Sequence, residues 1–229
     1  MFTDFLLNRV VFEIRYKKGH RYWDRCGETT LKIEEENPEW RWARIGNGAT
    51  HLTNAERDMQ ATFSWGSVSV RQSHVENLNQ FKLACDRLSK IILSNLEIRE
   101  ISRIGNRYWY VLAHESIEKA ENFIAKGKIL EPNIPKLSAF GTEILNRDFT
   151  IVLEHDGLIH RIAVGSASRP KDENLDRNEE FLRFNPLNAL LVDIDAFTTK
   201  TGPVDKFIPS DFIQKTSKRI EHNLMNLFK

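Results

Sequence analysis

The dipeptide Asp156-Gly157 stands between two runs, Phe149–Glu154 and Leu158–Val164, that are rich in β-branched and apolar residues. Asp-Gly in that setting is the strongest short-range hairpin signal, because both central residues of the favoured two-residue turn need positive φ. A hairpin commits its strands to antiparallel pairing, whereas a parallel pair needs a long crossover. A two-residue turn also fixes the register, so His155 pairs with Leu158, Glu154 with Ile159 and Leu153 with His160. His155 and His160 then share a face with Phe149, Ile151, Ile162 and Val164, while Glu154 and Arg161 lie diagonally on the other.

Other segments carry the same alternation. In Arg9–Lys17, Val10, Phe12, Ile14 and Tyr16 alternate with Val11, Glu13 and Arg15, which makes a strand with one apolar face. Met59–Gln72 reads as two short strands meeting near Trp65-Gly66. Ile98–Ile104 and Arg107–Leu112 flank Gly105-Asn106, a second two-residue turn signal. Asn188–Thr198 turns Leu190, Val192, Ile194 and Ala196 to one side. Residues 20–48 give no clear period, and Gly165–Glu180 reads as a polar, turn-rich loop.

Helical spacing is equally visible. Ser73-x-x-Glu76 has the form of a capping box, and Leu78, Phe81, Cys85, Leu88 and Ile92 follow at steps of three and four, predicting a helix over Ser73–Leu96. Ser116–Lys126 is a shorter helix with Gly127 at its end, and Pro132 and Pro135 mark a connector. Ser210–Phe228, preceded by Pro209, places Ile213, Thr216, Ile220, Leu224 and Leu227 on one stripe. These elements predict an α+β fold, with antiparallel sheet and long amphipathic helices on one face. The order suggests two related halves, 1–113 and 148–229, joined by a helix and connector over 114–147, in one compact unit. No residue-by-residue repeat accompanies them.

Charge and length narrow the function classes. The 229 residues hold 33 Lys+Arg against 32 Asp+Glu, a net charge of +1, which gives no strong nucleic-acid signal. No apolar run reaches the roughly 18–20 residues of a membrane span. Asp4, Arg9 and Glu13 interrupt the opening stretch, so it lacks a signal-peptide core. Cys26 and Cys85 have no metal-site spacing and suit reduced thiols in a cytoplasmic protein.

Val10–Tyr16 (VVFEIRY), Arg103–Tyr108 (RIGNRY) and Leu190–Phe197 (LLVDIDAF), ahead of a terminal helix, resemble in type and order a sporadically distributed family of uncharacterised bacterial proteins. That family opens on a V-x-E-[IL]-R-[FY]-like strand, carries an R-[IL]-G-x-R-Y-like centre and closes on an L-D-I-D-like strand and a helix. Asn106 stands where an apolar residue is commoner there, and Trp109 replaces a smaller one. The resemblance implies a prokaryotic or phage-borne cytosolic protein, as expected of mobile-element cargo, and brings no catalytic residues with it.

All five tryptophans and all four tyrosines precede residue 111. Trp and Tyr join a large apolar body to a polar handle, which suits ligand pockets and interfaces. Trp40-Arg41-Trp42 on a strand would present both indoles on one face. Arg103 and Arg107 flank Gly105-Asn106 beside Trp109, so planar cations stand near stacking surfaces. Trp40, Trp42, Arg103, Arg107 and Trp109 are therefore the candidate ligand-binding residues, against the plainer reading of core indoles and surface ion pairs. His155 and His160 could begin a zinc site but show no further ligands. Asp193-x-Asp195 offers paired carboxylates to a hard cation, or else a solvated strand face.

No phosphate loop, nucleophile elbow or zinc-protease motif occurs. The expectation is a non-catalytic binding protein for a small-molecule or protein ligand, without cofactor, metal or membrane partner. Self-assembly through a sheet edge or the terminal helix stays open. The alternative is a metal-dependent phosphohydrolase or nuclease using Asp193 and Asp195.

Overall fold

A computed structural model describes residues 5–17, 19–46, 48–127, 147–200 and 202–228. The predicted connector at Pro132 and Pro135 lies outside them. β1 (Leu6–Tyr16) is followed by α1 (Tyr22–Glu36), the meander β2 (Arg41–Gly46), β3 (Ala49–Asn54), β4 (Met59–Ser64) and β5 (Ser67–Ser73), and then α2 (Leu78–Asn95). β6 (Glu100–His114) opens a second round with α3 (Ile117–Lys126), β7 (Phe149–His155), β8 (Leu158–Ser168), the short α4 (Glu179–Phe184), β9 (Asn188–Thr198), the two-residue β10 (Gly202–Pro203) and α5 (Pro209–Leu224).

The strands form one antiparallel sheet in the order β2-β3-β4-β5-β1-β6-β9-β8-β7, with β10 paired to the start of β6. From β1 to α2 and again from β6 to α5 the order is strand, helix, antiparallel strands, helix, which groups β6 with the elements after it rather than with segment 1–113, and β1 and β6 meet at the centre. The fold is α+β, as the sequence predicts. Long helices line one face, where Val10, Phe12, Val68, Val70, Tyr108 and Ile194 are buried with Phe81, Leu88, Ile213 and Ile220. The opposite face carries none of these long helices, although Val111, which alternation turns to that face beside Trp109, is only 6% exposed.

The Asp156-Gly157 hairpin forms in the predicted register, with His155 opposite Leu158 and Leu153 opposite His160, and both turn residues have positive φ. Gly105-Asn106, in contrast, is no turn. β6 passes through it unbroken, pairing with β1 on one side and β9 on the other, and neither residue has positive φ. Asn106 is buried and donates from Nδ2 to Thr216 on α5 at 3.1 Å. Pairing on both edges and a distant helix partner override a local turn preference.

Three further boundaries differ from the sequence reading. α2 starts at Leu78, where the Asn77 side chain accepts from the Asn79 N–H at 2.7 Å. Ser73 instead closes β5 opposite Arg9, and His74 turns the chain at φ 51° while its N–H bonds the Asn8 carbonyl. Residues 22–36, illegible by period, form α1, whose buried side is Tyr22, Thr29, Thr30 and Ile33 with a single aliphatic residue among them. The predicted loop after Gly165 is partly regular: β8 continues to Ser168 opposite Asn188, and α4 follows with Asn178 as its cap.

Candidate functional site

Alternation along β6 sends Tyr108 and Tyr110 into the core and Arg103, Arg107 and Trp109 onto the uncovered face. β9 supplies the matching row, since Asp193, Asp195 and Phe197 point away from buried Val192, Ile194 and Ala196. Trp109 stands opposite Asp193, Arg107 opposite Asp195 and Gly105 opposite Phe197.

Both arginines lean along the strand, Arg107 to its diagonal neighbour Asp193 and Arg103 past Phe197 to Asp195. Arg107 makes a forked pair with Asp193, its Nε donating at 2.8 Å, and the carboxylate raises the pKa of the guanidinium. Arg103 bridges two strands, donating to Glu13 on β1 at 2.8 Å and to Asp195 on β9 at 3.1 Å. Gly105 makes that span feasible. A Cβ there would lie 2.9 Å from the Phe197 Cβ and 3.2 Å from the Arg103 guanidinium, which rests 4.4 Å from the Phe197 ring centre. The glycine of the Arg103–Tyr108 motif thus serves close approach rather than a turn.

Trp109 completes the cluster. The Arg107 guanidinium carbon lies 4.4 Å from its ring centre, and that of Arg9 on β1 lies 5.7 Å away. Such stacking holds planar cations over an indole while leaving N–H groups for an incoming acceptor. Beside Asp193 an open groove of about 360 Å³ runs between Phe149, Ala163, Gly165 and Leu191.

The electrostatics follow from partial burial. Burial raises the Asp195 carboxyl above its ordinary value, against the opposing pull of Arg103 and Arg107. Guanidinium, carboxylate and ring groups of this kind recognise charge and planarity. The arginines already hold both carboxylates, and among the described residues no group of three or more His, Cys, Asp and Glu is placed to hold a metal ion.

The structure brings together three of the five sequence candidates. Trp40 is 1% exposed and packs in the core just after α1, so it offers nothing to a ligand. Trp42 is 53% exposed but sits on the edge strand β2, with its backbone N–H donating to the Glu34 carboxylate at 2.7 Å. Five strand spacings, about 24 Å, separate it from β6. The two indoles thus share no surface. Arg9, Glu13 and Phe197, absent from the sequence candidates, belong to the cluster. Their outward alternation on β1 and β9 was readable, but which strands flank β6 was not.

The histidine pair also resolves. His155 is exposed and lies 3.1 Å from Asp156, whereas His160 is buried, with its pKa lowered by burial and then by Arg219. Among the described residues no helix is long and apolar enough to cross a membrane. No protein-family model matches the chain, and no curated protein proves similar to it.

Proposed function

We propose that the protein is a non-catalytic binding protein whose recognition surface is the uncovered sheet face centred on Arg103, Arg107 and Trp109. One observation carries this reading. The central strands of the sheet present forked guanidinium groups and rings on the face away from the long helices, whereas burial rather than recognition accounts for Trp40. Partly exposed arginines stacked on aromatic rings are a recurrent means of gripping anionic and planar ligands. The motif resemblance supports a phage or other mobile-element origin.

The phosphohydrolase alternative finds less support, because Asp193 and Asp195 would have to release Arg107 and Arg103 before holding a cation. Native mass spectrometry of protein purified from its own host tests the binding reading. A bound species is expected in the native protein and absent from folded Trp109→Ala and Arg107→Ala variants. Retention in both variants, or no bound species in host-derived material, contradicts it.

A further inference from the structure

The uncovered face is unequal from side to side. On its β2–β5 and β1 side stand Arg41, Arg44, Arg71, Arg9 and Arg15, placed outward by the register that buries Leu52, Ala61, Val70 and Val10 on the other side. The opposing carboxylate there is Glu13, already engaged by Arg15 at 2.6 Å and Arg103 at 2.8 Å. Small donors fill the space between the arginines: Thr53, Gln60, Thr62, Ser69 and Ser73 share the same face. On the β6, β9, β8 and β7 side the charges balance, with Arg103, Arg107 and Arg161 sharing the face with Asp193, Asp195 and Glu154. Trp109, Phe197, Leu191 and Ile159 supply ring and apolar surface there. The near-zero charge of the whole chain conceals this local basic field.

We infer that this face binds single-stranded nucleic acid, with the phosphate backbone over the arginine and hydroxyl side and unstacked bases over the Trp109 and Phe197 side. The inference rests on the same face acting as the binding surface and adds the class of ligand. Three features select that ligand. The outward cations on these strands are arginines, whose planar fork matches phosphate oxygens, and Ser, Thr and Gln are common phosphate donors. The arginines are spread across the sheet from β2 to β1, which suits an extended polymer over a small molecule that must be enclosed. Half-buried rings beside a basic track, each bearing an arginine at 4.4 Å, add stacking surface for bases that only a single strand leaves free.

The test is fluorescence anisotropy with a labelled 20-nucleotide oligodeoxythymidylate over a salt series. The expected result is binding that weakens linearly in log salt. The Arg41→Gln/Arg44→Gln/Arg71→Gln variant loses about tenfold or more in affinity, and its salt slope falls by about 2, as for three lost phosphate contacts. A helix-side control, Arg87→Gln/Lys90→Gln, stays within about twofold of the native protein. These side chains are exposed, and circular dichroism verifies the fold of each variant.

No binding at low salt, equal loss in both variants, or preference for a 20-base-pair duplex or for phosphatidylserine vesicles overturns the inference. If the oligonucleotide fails to bind while Trp109→Ala still sheds a co-purified species, the ligand class falls and the binding-protein reading stands. If neither occurs, both fall.

Discussion

Replacing Arg103 with methionine probes the electrostatics of the central cluster. The side chain is 17% exposed and satisfies Glu13 and Asp195, themselves 27% and 24% exposed. Exposed pairs contribute about 0.2–1 kcal/mol, and breaking a fully buried pair costs about 3–5 kcal/mol. A half-buried bridge between two carboxylates falls between, so Arg103→Met should destabilise the protein by about 2 kcal/mol at pH 7. Methionine keeps much of the contact with Phe197, so most of that cost is charge.

The pH dependence separates charge from packing. Burial holds the Asp195 carboxyl above its ordinary value even with Arg103 present. A carboxyl whose pKa is higher folded than unfolded favours folding at low pH and loses that contribution as pH rises through the folded value. Removing Arg103 raises the folded value further, so the deficit is greatest at neutral pH and shrinks as pH falls toward about 4. Urea unfolding of both proteins between pH 7 and pH 4 measures it. A deficit that stays constant across that range would refute the electrostatic account and leave Arg103 a packing residue.

Other perturbations follow from the corrected elements. Asn77→Ala should cost about 1 kcal/mol by removing the α2 cap, whereas Ser73→Ala should stay within about 0.5 kcal/mol, both by urea unfolding. Thr216→Val removes the hydroxyl that meets Tyr108 at 2.7 Å and Asn106 at 3.1 Å, and should cost about 1–3 kcal/mol in the same assay. Trp40→Ala should cost about 3–5 kcal/mol and Trp42→Ala less than about 1, a contrast visible in melting temperature.

What the sequence discloses depends on how local the cause is. The Asp156-Gly157 turn and the strand faces of β1 and β9 rest on neighbours within a few residues, and their register reads directly. Gly105-Asn106 carries a similar local signal, yet the deciding partners, Phe197 and Thr216, lie about 90 and 110 residues away. α1 escapes a hydrophobic-period search because threonines and a tyrosine do much of its packing. Within the site, Arg103, Arg107 and Trp109 are legible as cations beside a ring on one strand. The arginines of β2, β5 and β1 are not, since they converge only through sheet order and cancel against acids elsewhere.

The site exists only if β6 runs unbroken through the middle of the sheet, and amide hydrogen exchange tests that most directly. With β1 and β9 on either side, the Gly105 and Asn106 amides should exchange among the slowest in the protein, at the rate of global unfolding. Exchange as fast as that of Asp156 and Gly157 would restore a turn at the centre and dismantle the surface built upon it.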